Sequence, residues 1–175
     1  MDYVCHNDIK DKYNLFLDSA LSLSDTIVFH IVHYDVLSPD SLKMCDEYYK
    51  AHPEQAEEEI PVDYDYYDRM KKIIQPIEEA IIRKENDFSY LGYGYGYLCE
   101  SFFIDARHPK VRDFLASAGS IFSWRYPDFP EDLSFLRNGK NFIRNVAHEN
   151  MLFFYDIKTS EIERLNKLGI ELISH

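Results

Sequence analysis

Basic residues are scarce in this chain of 175 residues: 19 Lys and Arg stand against 31 Asp and Glu, a formal net charge of −12. That deficit argues against nucleic acid as a partner, because such binding relies on Lys and Arg displacing counterions from phosphates. Cysteine is scarce too. Cys5, Cys45 and Cys99 are widely spaced, leave one thiol over in any pairing scheme and form no CxxC knuckle. The pattern predicts reduced thiols rather than a disulfide framework or a zinc site. No apolar run approaches the ~20 residues that span a bilayer, and residues 1–8 hold neither a basic stretch nor an apolar export core. A cytoplasmic chain with no membrane partner is expected. Missing as well are a GxSxG elbow, a P-loop and the kinase signatures. No cofactor, no metal and no definite catalytic residue is therefore expected.

What is abundant is aromatic: Tyr 14 and Phe 12, with Trp124 the one tryptophan. Large rings carry core and interface energetics, and the tyrosine hydroxyl lets a ring sit half wet. Either a ring-rich core or a tyrosine-rich contact face accounts for that composition. The length suits one domain, residues 1–175, with no linker or repeat to divide it.

Apolar residues fall at helical spacing over 8–22, with Asn7 or Asp8 available as N-cap, and the run 26–34 reads as a strand covered on both faces. Ser38-Pro39-Asp40 opens a short helix that Pro53 closes. The longest helical pattern runs from Tyr66 to Ile82, bent at Pro76. From Phe88 to Ile104 the period is two, with Gly92, Gly94 and Gly96 alternating with Tyr93, Tyr95 and Tyr97. One strand, or two joined by a bend, is expected there, its glycine face open to close approach. A short helix follows His108-Pro109. Asn138-Gly139 between two apolar runs predicts a type I′ hairpin in which Phe135 faces Phe142. A third strand over 151–155, a helix capped by Ser160 and Glu163, and a last strand near 170–173 complete the reading. The irregular element order predicts an α+β fold, a mainly antiparallel sheet with helices packed on one side.

Four places carry candidate chemistry. His148-Glu149 lacks the second histidine of HExxH, since position 152 is Leu, but offers an acid–base pair. Asp105 and His108, at a strand end leading into a helix, are the other members of a hydrolase alternative, with helix capping as their structural role. His30 and His33 are three apart on a strand, point to opposite faces and cannot share a metal. The acidic stretch Glu57, Glu58, Glu59, Asp63 and Asp65, interleaved with Tyr64, Tyr66 and Tyr67, mixes carboxylates with rings. That is the chemistry of a surface that receives Arg and Lys, so a basic partner protein is expected, with the carboxylates as field and the tyrosines as anchors. A further alternative is a homo-oligomer pairing through the edge of the C-terminal hairpin.

The stretch from Tyr126-Pro127-Asp128-Phe129-Pro130 through Asn138-Gly139 to Val146-Ala147-His148-Glu149 resembles segments of small uncharacterised bacterial proteins. In size, acidity and aromatic content the chain also resembles immunity proteins, which neutralise secreted bacterial toxins. That resemblance implies a binding module that masks its partner, and it assigns no site residue.

Overall fold

The computed structural model describes residues 2–6, 9–53, 63–90 and 93–174. Eight strands form one antiparallel sheet: β1 (Tyr3–Cys5), β2 (Thr26–Leu37), β3 (Ile81–Tyr90), β4 (Tyr93–Asp105), β5 (Glu131–Arg137), β6 (Lys140–Val146), β7 (Met151–Phe154) and β8 (Ile173–Ser174). Their spatial order is β3-β4-β2-β5-β6-β7-β1-β8. The α-helices among the described residues are α1 (Tyr13–Leu23), α2 (Pro39–Ala51), α3 (Tyr66–Ile74), α4 (Val111–Ala116) and α5 (Thr159–Lys167). The chain is thus a single α+β domain, as its pattern predicts. No helix of the described residues is long and apolar enough to cross a membrane.

The sheet's two faces differ sharply. Ile27, Phe29 and Ile31 of β2, with Phe102 and Ile104 of β4, join Tyr13, Phe16 and Leu17 of α1, Met70 and Ile74 of α3, Phe114 of α4 and Leu165 of α5 in one large core. Alternate residues of these strands point the other way, where, among the described residues, Val28 and Phe103 form a small apolar group with Leu136 of β5. Trp124 lies at the heart of the main core, stacked 5.6 Å from Phe29, and its Nε1 donates to the Tyr13 hydroxyl at 3.0 Å. That hydroxyl donates in turn to the Leu115 carbonyl at 2.9 Å, so each buried polar group along this path is satisfied.

Several local expectations shift. The Tyr66–Ile82 pattern is helical only to Ile74; a 3₁₀ turn covers Gln75–Ala80, and β3 begins at Ile81. Pro76 has no N–H for the ladder and its ring crowds the preceding turn, so the helix ends where a bend was expected. The hairpin has the expected turn, with φ of 52° at Asn138 and 71° at Gly139. Its register slips by one between Phe135 and Leu136, so Phe135 faces Ile143, not Phe142. Phe142 instead lies under the Arg137 guanidinium at 3.6 Å. Helix α5 starts at Thr159, and Glu161, not Glu163, accepts from the Lys158 backbone N–H at 2.9 Å. Glu161 is held there because it also receives Arg137 at 3.0 Å. Strand β1 was not visible in the sequence, and the proposed N-caps Asn7 and Asp8 lie outside the described residues.

Candidate functional site

The C-terminal end of β2 gathers most of the tyrosines whose environment is informative. Tyr34 has Tyr66, Tyr97 and Tyr126 around it at ring-centroid distances of 5.6, 5.4 and 5.3 Å. Its hydroxyl donates to Glu131, the first residue of β5 and a buried carboxyl. Burial raises the Glu131 pKa and neighbouring Asp132 adds to it; the Tyr34 hydrogen bond and the charge of His148 pull it back. Burial beside Glu131 likewise pushes up the Tyr34 and Tyr66 hydroxyls, and carries the Cys99 thiol up to about 12. The Tyr34 and Tyr66 hydroxyls and the Cys99 thiol therefore stay protonated at physiological pH, which suits a packed anchor more than a reactive centre.

Around this anchor the acidic residues take different roles. Asp63 receives both guanidinium nitrogens of Arg69, at 3.0 and 2.6 Å, and the Tyr126 hydroxyl at 3.3 Å. Arg69 holds the Asp63 carboxyl below the usual carboxylate range. Tyr64 is 76% exposed and Asp65 is exposed beside it. Tyr66 corrects the expectation of a surface anchor: it is 1% exposed, because the first turn of α3 tucks it against Tyr34 and its hydroxyl donates to the Phe129 carbonyl. Tyr67 packs on His33 at 4.3 Å and donates to Glu100 at 2.8 Å, so most of its ring faces the protein. Glu57, Glu58 and Glu59 lie outside the described residues.

Helix α2 stands apart. Its thirteen residues include no buried side chain. Among the described residues its N-terminus is anchored at Ser38, whose Oγ accepts from the Ser41 N–H at 3.1 Å and whose N–H donates to the Gly96 carbonyl at 2.7 Å, and Ser41, Cys45 and Tyr49 are half-buried. Gly96 has φ of 70°, and a Cβ there would meet Ser41 Oγ at 3.0 Å. The glycine of the Tyr/Gly strand thus admits α2 itself. Leu42, Met44 and Tyr48 are 51%, 70% and 49% exposed; at 3.6 residues per turn Leu42 lies on one flank of the half-buried row Ser41, Cys45 and Tyr49, and Met44 and Tyr48 lie on the other.

The hydrolase constellation does not assemble. Asp105 pairs with Thr26 at one end of the sheet, whereas His148 follows the strand end of β6 at the end marked by the His30–Glu131 pair. Four residues along β2 and three strand spacings separate them, on the order of 20 Å, beyond the reach of proton transfer. Asp105 Oδ1 accepts the Arg107 N–H and His108 Nδ1 accepts the Lys110 N–H, so both serve the local turn. His148 and Glu149 are exposed neighbours 3.8 Å apart.

The sequence also concealed a buried polar pair. His30 is fully buried on the sheet's smaller face, its Nδ1 2.8 Å from Ser101 Oγ. Burial, with the charge of Arg144, lowers its pKa to about 3. Such an imidazole is too weak a base to activate Ser101 near neutrality, so the pair is a structural hydrogen bond. Among the described residues no group of three His, Cys, Asp or Glu is arranged to hold a metal. No protein-family model, curated protein or solved structure matches this chain.

Proposed function

We propose that this chain is an acidic protein-binding module of the immunity type, which docks a basic partner protein on α2 and the Tyr64–Asp65 corner and masks the partner's working surface. The observation that carries the proposal is α2: thirteen helical residues without one buried side chain, displaying Leu42, Met44 and Tyr48. A helix of that length is marginal in water on its own, and tertiary packing of an apolar face supplies most helical stability. Exposed apolar side chains on both flanks of a helix are suited to being buried by another molecule. The partner's sign follows from charge. Helix α2 carries Asp40, Asp46 and Glu47 against Lys43 and Lys50, the run Glu57, Glu58, Glu59 follows it in sequence, and Asp65 borders Tyr64 on a chain of net charge −12. That field speeds encounter with a cationic surface, while the rings and Met44 hold it. Asp63 is not counted among the docking carboxylates, since Arg69 already neutralises it.

Binding is tested by calorimetry against the basic proteins encoded beside this one. The triple variant Leu42→Ser, Met44→Ser, Tyr48→Ser is expected to bind at least ~100-fold more weakly, since each large apolar side chain contributes ~1.5–3 kcal/mol on full burial. Its melting temperature should match that of the parent chain. Neutralising Glu57, Glu58, Glu59 and Asp65 to amides should slow association and flatten its salt dependence. Undiminished binding by the triple variant, or a fall of several degrees in its melting temperature, overturns the proposal.

A further inference from the structure

The C-terminal hairpin has no free edge, because β5 is paired with β2 and β6 with β7; the sheet's outer strands are β3 and β8. Strand β8 has two residues, but β3 has ten. Every residue from Ile82 to Asp87 is exposed, and no strand among the described residues pairs with the outer side of β3. Register shifts interrupt the β3–β4 ladder between Ile81 and Arg83 and again between Asp87 and Ser89. The regular stretch left between them, Arg83–Asp87, is centred on Glu85.

We propose that β3 pairs antiparallel with β3 of a second copy of this chain, about a two-fold axis through Glu85. The register places Arg83 opposite the second copy's Asp87, and Lys84 opposite its Asn86. A two-fold contact repeats each pair. The occupant is argued from charge. Although the whole chain carries −12, the five residues Arg83-Lys84-Glu85-Asn86-Asp87 carry two positive and two negative side chains. The edge is thus a place where two acidic copies meet without local repulsion, apart from Glu85 facing itself on the axis. Each Glu85 has its own Arg83 at 2.9 Å to offset that opposition. The rings behind the edge are already shielded, with the Arg83 guanidinium 3.8 Å over Phe103 and the Lys84 ammonium 4.9 Å over Phe102. Bulges and charges commonly blunt an edge against pairing. Here they bracket a symmetric window instead, and pairing there extends the sheet across two molecules. This pairing does not depend on the function proposed above.

The register makes the test specific. In a Cys45→Ser background, with Cys5 and Cys99 buried, the variant Glu85→Cys places two thiols face to face. Directly opposed Cβ atoms are ~4.5–5.5 Å apart, close to disulfide reach. Mild oxidation should give a covalent dimer of Glu85→Cys rapidly, and of Lys84→Cys or Asn86→Cys slowly or not at all. In light scattering over a concentration series, Arg83→Asp should weaken association about tenfold or more, and Arg83→Asp with Asp87→Arg should restore it. A parent chain that stays monomeric up to its solubility limit overturns the proposal. So does crosslinking that is fastest at position 84 or 86, or a charge reversal at Arg83 without effect.

Discussion

His30 makes acid stability a sharp test of the buried polar face. The imidazole is fully buried, hydrogen-bonded to Ser101 and close to the charge of Arg144, and its pKa falls from 6.5 to about 3. Below pH 6.5 the unfolded chain therefore takes up a proton that the folded chain refuses. A depressed folded pKa contributes stability that is fully present above the unfolded value and is lost as pH falls toward the folded one. Each pH unit crossed costs ~1.4 kcal/mol, so His30 accounts for ~3 kcal/mol after two units and ~4–5 kcal/mol by pH 3. Against a total stability of ~5–15 kcal/mol that loss is a large share of what holds the protein folded in acid. Glu131 acts in the opposite sense, since its raised pKa contributes stability at low pH that is lost as pH rises through the folded value. The difference between the parent chain and His30→Asn isolates His30, because every other titrating group is common to both. The asparagine amide can still reach Ser101. Urea unfolding followed by the fluorescence of Trp124, the one tryptophan and fully buried, should show a parent chain that loses stability steeply below pH 6.5 and a variant whose slope is shallower by one proton. Parallel slopes for the two proteins, or a His30 that titrates near 6.5 by NMR, would refute the reasoning.

Other substitutions probe separate parts of the fold. Glu131→Gln keeps an acceptor for the Tyr34 hydroxyl and removes the ionisation; the variant should gain stability relative to the parent as pH rises above 4.5, measured by denaturant midpoints. Tyr13→Phe leaves Trp124 Nε1 and the Leu115 carbonyl without their buried partner and should cost ~1–3 kcal/mol for each group left unsatisfied, lowering the melting temperature by several degrees. Gly96→Ala should cost ~1–2 kcal/mol for the left-handed backbone and also displace Ser41 at the root of α2. If the calorimetric melting temperature of Gly96→Ala equals that of the parent, the tethering of α2 through Gly96 is wrong.

The fold class was legible because local signals agreed with one another. The run 26–34 is apolar on both alternating faces, and Ile27, Phe29 and Ile31 do point into one group while Val28 points into the other. Asn138-Gly139 specified its turn, since two adjacent positive φ angles suit few other residue pairs. What misled were positions where a tertiary partner outbid local pattern. Phe142 keeps the guanidinium of Arg137 over its ring in place of the cross-strand Phe135, and Glu161 caps α5 because Arg137 fixes it there. Ile81 and Ile82 continue a helical spacing, yet they belong to a strand because β4 offers a ladder and Pro76 ends the helix.

The candidate site was less legible than the fold. Sequence placed Tyr64, Tyr66 and Tyr67 together as anchors, but a helix sends neighbours to different sides, so one faces solvent, one the core and one a histidine. Nothing local in the sequence marked Glu131 as buried beside Tyr34. The exposure of α2 was equally hidden, because its apolar residues look the same in sequence whether a core covers them or not.

Composition and period by themselves determined an acidic α+β domain with a hairpin at Asn138-Gly139, because charge totals, alternation and turn chemistry are properties of neighbouring residues. Only the tertiary structure decided which tyrosines are buried, that His30 meets Ser101, that β3 is an outer strand and that α2 is left uncovered. Each of these depends on residues far apart in the chain, whose encounter is fixed by sheet order and register and by no local preference.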